Sequence, residues 1–488
     1  MLCVTGSERT LATLSARIGR LAEAALHEVR LDLLDEAPLR LIGRLPDPQR
    51  LIVTVRAARE GGGWRGPEEK RIALLRAAID RGVGYVDVEA STPPELLEPL
   101  LAAPGPTRRI VSVHLGPGDE ETPLNALARL GSLRAHVLKL ALPVEDAADL
   151  CALRDAAVAC RREVVVIGMG EAGALSRVAY RAFGSAWTYV AADGAGRTAP
   201  GQWTAAQAER VALGRQAPQV YGLLGGPSAV RSPGPRVYNA LLPRSGRPLA
   251  YVALPTARPG AVLQLLRDDV LAGLSVTMPH KESVRDLIDD EAPSARRSGS
   301  VNTIVAEAGR LTGHSTDGEG AVAALGGPAA LAGRRVLVLG AGGAARAVAR
   351  SIADAGASVV VASRRPGRSA ALAEAIGGSS VAWSEAGDVP FDVLVQATPA
   401  GADGATMPLA DASVLAGRTV LDLVLDPPRT PLLAAAERAG AAAAIPGDVM
   451  WAHQGAAQMR LLTGMTLDPA ELLRAVREGV AEEPDAKA

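Results

Sequence analysis

The chain has 488 residues, and at roughly 100–200 residues per domain this length predicts two to four domains. Apolar residues make up 48% and charged residues 22%, which excludes a disordered chain. The net charge of −1 gives no electrostatic attraction for nucleic acid or for a membrane surface. The sequence contains no run of 18 apolar residues, so no transmembrane helix is predicted. The three cysteines share no C-x-x-C spacing, which is typical of a reducing compartment. We therefore expect a cytoplasmic protein whose partners are small molecules.

Lysine is rare in this chain. Of the 52 basic residues, four are lysines: Lys70, Lys139, Lys281 and Lys487. Arginine keeps its proton at neutral pH, whereas a desolvated lysine can lose it. Lys70 and Lys487 have charged or terminal surroundings and are predicted to be solvated. Lys139 in HVLKLAL and Lys281 in SVTMPHKE are therefore the candidates for chemistry that needs a deprotonable amine.

Short apolar runs alternate with helical patterns over roughly the first 200 residues. The eight runs cover 2–6, 28–34, 51–56, 85–90, 109–115, 135–142, 163–170 and 186–192. Eight strands with intervening helices predict a (β/α)8 barrel, with 201–214 as the closing helix. Active residues of such barrels lie at the carboxyl ends of the strands. Polar residues interrupt several runs there: Glu28, Arg30, Asp32, Arg56, Glu89, His114 and Lys139. Together they predict one polar pocket at the barrel mouth.

A second α/β pattern follows a short linker at 215–220. Residues 334–356 predict a strand, a glycine-rich turn and a helix, and strands are predicted again at 358–365, 391–401 and 418–428. Residues 447–480 predict helices. Gly340, Gly342 and Ala345 fit G-x-G-x-x-A between the strand and the helix, which predicts a dinucleotide site. Such glycines let the backbone approach a diphosphate at the helix N-terminus. A glycine-rich turn without a ligand is the alternative.

The end of the next strand indicates which dinucleotide binds. Sites for NAD usually carry an acidic residue there, which binds the ribose 2′-hydroxyl. This strand ends in Ser363, Arg364 and Arg365, and two guanidinium groups suit a 2′-phosphate. We therefore predict NADP as the cofactor, with a solvated arginine pair as the alternative.

Residues 221–480 resemble shikimate dehydrogenase. The matching motifs occur in family order: SVTMPHKE (275–282), GSVNTIV (299–305), STDGEG (315–320), GAGGAAR (340–346), ATPAG (397–401) and QGAAQMRLLTG (454–464). The resemblance implies a substrate-binding domain at 219–322, completed by 448–480, and an NADP-binding Rossmann domain at 323–447.

Reduction of a ring ketone requires a hydride on carbon and a proton on oxygen. The resemblance implies that Lys281 supplies this proton and that Asp317 holds and tunes its ammonium group. The implied ligands for the ring hydroxyls and carboxylate are Ser232, Thr277, Asn302 and Gln454. The implied cofactor contacts are Gly340, Gly342, Gly343, Ala344, Ser363, Arg364, Arg365 and Thr398.

Several positions depart from the shikimate dehydrogenase pattern. The family motif Ser-x-Ser-Pro reads Val230-Arg231-Ser232-Pro233 here, so its first serine is missing, and Leu425 replaces a tyrosine. Gln396 and Ser315 replace asparagines. Arg231 is a candidate partner for the substrate carboxylate. These departures leave the choice between shikimate and quinate open.

The first 200 residues resemble type I 3-dehydroquinate dehydratase, which implies a barrel domain at 1–216. The matching motifs are EVRLD (28–32), TVR (54–56) followed by GGG, DVE (87–89), SVH (112–114), LKLA (138–141), GMGEAGALSR (168–177), FGS (183–185) and TAPGQ (198–202).

The implied reaction eliminates water from a β-hydroxy ketone. An uncharged amine condenses with the ketone, and the iminium acidifies the adjacent C–H. Burial in an apolar strand favours the uncharged form of Lys139. By resemblance, His114 removes the proton and later protonates the departing hydroxyl, while Glu89 orients the imidazole. The remaining pocket residues implied are Glu28, Arg30, Arg56, Arg177, Thr198 and Gln202.

The two resemblances describe consecutive steps, from 3-dehydroquinate through 3-dehydroshikimate to shikimate, in aromatic amino acid biosynthesis. No metal-ligand spacing is present, so neither step is expected to use a metal. One alternative is an active dehydratase joined to a quinate-preferring or weak dehydrogenase. Another is a degenerate, metabolite-sensing regulator, which would be expected to lose Lys139 or Asp317, and both are present.

Overall fold

The computed structural model describes residues 1–21, 26–35, 47–194, 198–199 and 201–478. Contacts between residues divide the chain into two compact units. The first holds Met1–Gly222 and Pro227–Leu265, and the second holds Leu223–Gly226 and the described residues that follow Leu265. None of the described helices is both long and apolar enough to cross a bilayer.

Eight parallel strands form the first sheet, and each of the eight predicted runs overlaps one of them. They are β1 (Leu2–Thr5), β2 (Leu26–Arg30), β3 (Leu51–Thr54), β4 (Tyr85–Glu89), β5 (Arg108–His114), β6 (Val137–Pro143), β7 (Glu163–Met169) and β8 (Thr188–Ala191). Their order is β7-β6-β5-β4-β3-β2-β1-β8. A parallel bridge between Val164 and Ser185 links the two ends of this sheet. The predicted (β/α)8 barrel is therefore confirmed.

Helices connect most of the barrel strands. They are α1 (Leu11–Arg20), α2 (Glu68–Asp80), α3 (Pro94–Leu101), α4 (Pro123–Gly131), α5 (Asp149–Ala159), α6 (Ala174–Val178) and α7 (Ala205–Arg210). The last of these falls within the predicted closing helix at 201–214.

The barrel interior changes from apolar to polar along the strands. On β6, Val137 and Ala141 belong to a buried apolar cluster that also contains Ile110 and Val165. Side chains two residues apart in a strand point to the same face, so Lys139 faces this interior between Val137 and Ala141. The strand pattern thus brings a lysine into the centre of the barrel.

A second sheet has the strand order β10-β9-β11-β13-β14-β12. Its strands are β9 (Gln219–Gly225), β10 (Leu249–Pro255), β11 (Gly273–Val276), β12 (Asp290–Glu291), β13 (Thr303–Glu307) and β14 (Arg310–His314). The helices of this region are α8 (Gly234–Leu241), α9 (Pro259–Arg267), α10 (Pro293–Ser298), α11 (Asp317–Ala324) and α12 (Pro328–Leu331). Leu223–Gly226 at the end of β9 belong to the second compact unit, Pro227–Leu265 belong to the first, and the described chain after Leu265 belongs to the second.

The third sheet is parallel and has the order β17-β16-β15-β18-β19-β20. Its strands are β15 (Arg335–Leu339), β16 (Ser358–Ala362), β17 (Ser379–Val381), β18 (Val393–Gln396), β19 (Thr419–Asp422) and β20 (Ala443–Ile445). In chain order this is 3-2-1-4-5-6, the arrangement of a Rossmann domain. Val336 and Val338 face one buried cluster and Leu337 and Leu339 face another, so both faces of the sheet are covered.

Five further helices complete this part of the chain. They are α13 (Gly343–Asp354), α14 (Pro366–Ile376), α15 (Pro431–Ala439), α16 (Gly447–Thr463) and α17 (Pro469–Arg477). The helices predicted at 447–480 correspond to α16 and α17.

Within the first compact unit, the loop after β6 is bonded to the end of β10. Thr256 Oγ1 donates to one carboxylate oxygen of Asp146 at 2.5 Å, and the Ala257 N–H donates to the other at 3.1 Å. The Ala147 N–H donates to the Pro255 carbonyl at 2.8 Å. Burial raises the pKa of Asp146, but the hydrogen bonds from Thr256 and from backbone N–H groups outweigh it and lower this pKa. Asp146 therefore acts as a charged acceptor that joins the loop after β6 to Thr256 and Ala257, which follow β10.

We expect Asp146→Ala to lower the apparent melting temperature by several degrees. The substitution removes charge-assisted hydrogen bonds and leaves the Thr256 hydroxyl without its acceptor, at a cost of about 2 kcal/mol. Differential scanning calorimetry of the full chain measures this shift. Asp155→Ala is the matched control, because that side chain on α5 is 74% exposed. Equal melting temperatures for the two variants would show that the Asp146 contacts do not stabilise the fold.

Candidate active sites

Lys139 lies in the middle of β6 with its amine among charged groups. Its Nζ donates to Asp87 Oδ2 at 2.8 Å and lies 3.7 Å from Glu28 Oε1. The Tyr189 ring covers it, with 4.4 Å between Nζ and the ring centroid. The side chain is 5% exposed. The amine predicted to lie in an apolar strand is thus buried beside two carboxylates.

Asp87 is fixed by three neighbours. Ser112 Oγ donates to Oδ1 at 2.6 Å, while Lys139 and Arg56 Nη2 approach Oδ2, the latter at 3.1 Å. Burial opposes the charge of this carboxyl, but Lys139 and Arg56 outweigh it and hold the pKa of Asp87 well below its usual range. Asp87 is therefore ionised and sets the position of the lysine amine.

Glu28 provides the second carboxylate beside Lys139. Thr5 Oγ1 donates to Oε2 at 2.7 Å and Thr54 Oγ1 donates to Oε1 at 3.2 Å. Burial alone would raise the pKa of Glu28, but Lys139 and Arg30 lower it. The two hydroxyls come from neighbouring strands, so the barrel itself orients this carboxylate.

His114, at the end of β5, has both ring nitrogens engaged. Arg56 Nη1 contacts Nε2, and Glu60 Oε2 lies 3.0 Å from Nδ1. Burial, together with the charges of Arg56 and Lys139, lowers the pKa of His114 well below its usual value. The imidazole is therefore neutral. A proton on Nδ1 that is directed at Glu60 leaves the lone pair on Nε2, which is the form that a general base requires.

Glu89 was predicted to orient His114, and in the structure its carboxylate contacts other groups. Glu89 Oε1 accepts from the Ala57 N–H at 3.0 Å, and Arg71 Nη1 donates to the other oxygen. Glu89 thus bonds to the backbone after β3 and to Arg71 on α2, whereas Glu60 lies beside the imidazole. Burial raises the pKa of Glu60, and the charge of Glu89 adds to this effect.

Two site residues were missing from the residues assigned on sequence grounds. Glu60 follows Arg56 by four positions and directly precedes the glycine run that was part of the motif, which was the available signal. Asp87 was quoted within DVE without a role. Both contact predicted residues, His114 and Lys139 respectively.

The other predicted pocket residues of the barrel show three local arrangements. Arg30 forms two hydrogen bonds with Asp32, at 2.9 and 2.6 Å. Gln202 Oε1 accepts from the Thr198 N–H at 2.9 Å. Arg177 on α6 donates through Nε to a carbonyl at 3.2 Å, but its buried Nη2 has no partner among the described residues. Burial lowers the pKa of Arg177 to about 10. An unpaired, buried guanidinium nitrogen fits a carboxylate ligand.

In the second unit, four predicted residues meet at one point. Lys281 Nζ donates to Asp317 Oδ2 at 2.6 Å. Asn302 Nδ2 lies 2.9 Å from Asp317 Oδ1 and 3.0 Å from Gln454 Oε1. Asp317 opens α11, Asn302 precedes β13, and Gln454 lies on α16. Asp317 is 2% exposed, whereas the Lys281 side chain is 17% exposed and therefore remains reachable.

Two other predicted substrate ligands lie elsewhere along the chain. Thr277 opens the turn that leads to Lys281, and its carbonyl accepts from the His280 N–H at 3.0 Å. Ser232 belongs to the first compact unit, where its Oγ accepts from the Gly234 N–H at 3.3 Å. Arg231 is exposed. Substrate contacts by Ser232, Thr277 and Arg231 remain predictions.

The glycine-rich turn has the geometry that a dinucleotide site requires. Gly340 has φ +125°, and a Cβ atom there would lie 2.8 Å from the Ala397 carbonyl oxygen, so only glycine fits. Gly342 precedes α13 and provides no side-chain cap, which leaves the helix N–H groups free for a ligand. A Cβ atom on Gly343 would lie 3.0 Å from Lys281 Cβ. The turn therefore lies beside the lysine.

The neighbouring strand ends complete this site. Gln396 Nε2 donates to Thr398 Oγ1 at 2.8 Å and to the Ala400 carbonyl at 3.0 Å, so glutamine closes the loop at the position where the family has asparagine. Arg364 and Arg365 are exposed, and no ion pair involves them within the described part of the chain. The residues present thus fit a dinucleotide that carries a 2′-phosphate.

The fold and the two sites define a class of protein. A buried lysine and a neutral histidine at a barrel mouth are typical of lyases that form a Schiff base. A Lys–Asp pair beside a Rossmann turn is the arrangement of a dinucleotide-dependent dehydrogenase. The chain is thus a lyase and a dehydrogenase in one polypeptide.

Comparison with known proteins identifies the family. Residues 2–214 match the model of type I 3-dehydroquinase, residues 224–304 match the shikimate dehydrogenase substrate binding domain, and residues 335–425 match the NADP oxidoreductase, coenzyme F420-dependent, family. The bifunctional 3-dehydroquinate dehydratase/shikimate dehydrogenase, chloroplastic, of Arabidopsis thaliana is 33% identical over 486 residues, which cover 92% of this chain and 79% of the relative. The chain belongs to the family of bifunctional 3-dehydroquinate dehydratase/shikimate dehydrogenases.

Two further matches concern the second half of the chain. The NADP(+) shikimate dehydrogenase of Alkalilimnicola ehrlichii is 36% identical over 265 residues, which cover 53% of this chain and 98% of the relative. A solved shikimate dehydrogenase in complex with NADP+ superposes with a TM-score of 0.50 at 29% identity and covers 54% of this chain and 96% of its own. Both match the part of the chain that contains Lys281 and the glycine-rich turn.

We expect Glu60→Gln to lower the kcat of the dehydratase by at least about 10-fold, as part of the 10²–10⁴-fold that a general base contributes. The amide can donate to Nδ1 and thereby place the proton of His114 on the wrong nitrogen. A steady-state assay with 3-dehydroquinate measures this loss, and the dehydrogenase activity should be unchanged. Glu98→Gln, an exposed position on α3, is the control. Normal turnover in the Glu60 variant would exclude Glu60 as the group that orients His114.

Proposed function

We propose that the barrel dehydrates 3-dehydroquinate to 3-dehydroshikimate and that the second half reduces 3-dehydroshikimate to shikimate with NADPH. The observation that carries this proposal is the paired placement of the two rare lysines. Lys139 lies within hydrogen-bond distance of Asp87, and Lys281 within hydrogen-bond distance of Asp317. Each lysine also lies in a motif of the corresponding family.

The dehydratase step begins with attack of the Lys139 amine on the ketone carbon. A C–N bond forms and the C–O bond breaks, and the oxygen leaves as water with one amine proton and one proton from solvent. The other amine proton stays on nitrogen, which gives an iminium that withdraws electrons from the adjacent carbon. Neutral His114 then accepts a proton from that carbon through Nε2 and returns it to the departing hydroxyl. Water hydrolyses the product imine and releases Lys139. The unpaired Nη2 of Arg177 is the proposed ligand for the substrate carboxylate.

Borohydride added together with 3-dehydroquinate should fix the ligand mass on a peptide that contains Lys139. The reductant converts the imine to a stable amine, and intact-protein and peptide mass spectrometry locate it. Lys139→Arg should show no added mass, while Lys281→Arg should label normally. Label on another residue, or none in the wild-type chain, would reject the imine step.

The dehydrogenase step uses NADP, whose reduced form supplies the hydride when it is bound. Lys281 is the proposed donor of the proton to the developing alkoxide, since its amine is partly exposed and is held by Asp317. Asn302 fixes the other oxygen of Asp317 and also contacts Gln454, so the three side chains form one rigid wall. Arg364 and Arg365 are the proposed ligands of the cofactor 2′-phosphate.

Asp317→Asn should abolish NADP-linked oxidation of shikimate, by at least about 10²-fold in kcat. The amide removes the charge that holds the Lys281 ammonium while it preserves the shape of the side chain. Dehydration of 3-dehydroquinate by the same variant should remain at the wild-type rate, because Asp317 contacts no described residue of the barrel site. Loss of both activities would contradict two separate catalytic centres.

The domain boundaries belong to this proposal as well. We propose a dehydratase domain at 1–216, a substrate domain at 219–322 completed by 448–480, and a cofactor domain at 323–447. The cytoplasmic location expected from composition, and small molecules as the partners of both sites, also remain predictions.

A further inference from the structure

Ser300 carries a buried hydroxyl that the mechanism above does not use. The residue is 0% exposed, and its Oγ has no hydrogen-bond partner among the described residues. A buried hydroxyl left without a partner is destabilising, so native proteins rarely retain one. The serine lies two residues before Asn302, in the segment that runs beside the Lys281 carbonyl.

The position of this hydroxyl is defined by Lys281 and by the first residue of α13. The Val301 N–H donates to the Lys281 carbonyl at 2.8 Å, so the two segments run side by side. A Cβ atom placed on Gly343 would lie 3.0 Å from Ser300 Oγ and 3.0 Å from Lys281 Cβ. Ser300 Oγ therefore faces the N-terminus of a 12-residue helix, next to the proton donor.

The N-terminus of α13 attracts anions, because its N–H groups are free and the helix dipole is positive there. Gly342 contributes no side-chain cap, and Gly340 lets the chain turn tightly. A hydroxyl at this place can donate to an anionic oxygen. The Ser300 hydroxyl thus adds a donor on the side of the site that borders Lys281, where the backbone N–H groups provide none.

Ser298, two residues earlier, shows the contrast within the same segment. Its Oγ lies 3.1 Å from the Ala295 carbonyl and 3.1 Å from the Ser300 carbonyl, so backbone oxygens satisfy it. Of these two serines, Ser298 serves the local turn and Ser300 is left with an unused donor.

We propose that Ser300 is a cofactor-binding residue whose hydroxyl donates a hydrogen bond to the diphosphate of NADP(H) on its nicotinamide side. The inference rests on the proposed NADP-dependent reduction and adds a residue to that site. Gly343 borders the hydroxyl in this structure, so the proposal requires the first turn of α13 to shift away from Ser300 when the diphosphate binds. The bond then fixes the cofactor beside Lys281.

The test compares Ser300→Ala with Ser298→Ala in the full chain. Without cofactor, Ser300→Ala should melt at the wild-type temperature or above it, because no hydrogen bond is lost. Titration of NADPH fluorescence should give a Kd about 10-fold weaker for Ser300→Ala and unchanged for Ser298→Ala. The rise in melting temperature on adding NADPH should be smaller for Ser300→Ala. Adenosine 2′,5′-bisphosphate, which lacks the nicotinamide half, should bind wild type and Ser300→Ala equally.

Other results overturn the proposal. An unchanged Kd for NADPH in Ser300→Ala would exclude the contact. A lower melting temperature without cofactor, together with unchanged affinity, would assign Ser300 to the fold alone. Equal weakening for adenosine 2′,5′-bisphosphate would place the contact on the wrong half of the cofactor. Failure of the wild-type chain to bind NADPH would overturn both this inference and the proposed reduction, whereas a loss confined to Ser300→Ala supports both.

Discussion

The buried amine of Lys139 is the constraint on which the N-terminal half depends. A polar group of this kind inside a barrel is costly unless opposite charges and hydrogen bonds compensate for its burial. Asp87 at 2.8 Å and Glu28 at 3.7 Å provide that compensation for Lys139. Each carboxylate then needs its own donors, which Ser112 and Thr5 supply from adjacent strands. The polar layer of the barrel thus follows from one buried amine.

The same logic explains why His114 is neutral. The carboxylates that hold Lys139 also attract Arg56, and Arg56 lies against the imidazole. With two cations nearby and little water, a third positive charge on the ring is unfavourable, which lowers the pKa of His114. The charges that retain the lysine therefore also keep the histidine in its basic form. In the second unit, Lys281 is more exposed, and one carboxylate, that of Asp317, holds its amine.

The elements of the fold were predictable because they rest on local patterns. Eight apolar runs and a glycine-rich turn after a strand report the period and position of strands directly. Rarity and motif order also singled out Lys139, Lys281 and Asp317, and the structure places each of them in a hydrogen-bonded pair. The partner of His114 was not predicted, because Glu60 lies in the turn after β3 and not on a strand. Glu60 is 54 positions away from His114, and strand order alone favoured Glu89, whose oxygens the Ala57 N–H and Arg71 already occupy.

The contacts of the Lys139 amine with Asp87 and Glu28 were not predicted for a related reason. Its sequence neighbours on β6 are apolar, but a strand residue contacts other strands more than its own neighbours. Glu28 on β2 and Asp87 on β4 lie four and two strands before β6, and nothing in EVRLD or DVE indicates that both acids approach the same amine. The barrel closure brings them together, and only the pleat of each strand decides which side chains face inward.

The loop after β6 connects this chemistry to the rest of the first unit. The strand that carries Lys139 ends at Pro143, and Asp146 follows within three residues. Its carboxylate is held by Thr256 and the Ala257 N–H, which belong to the segment after the barrel. Loops at this end of a barrel border the active site, so a contact that fixes the loop also limits the movement of its rim. The donors to Asp146 thus come from residues beyond the eight barrel strands.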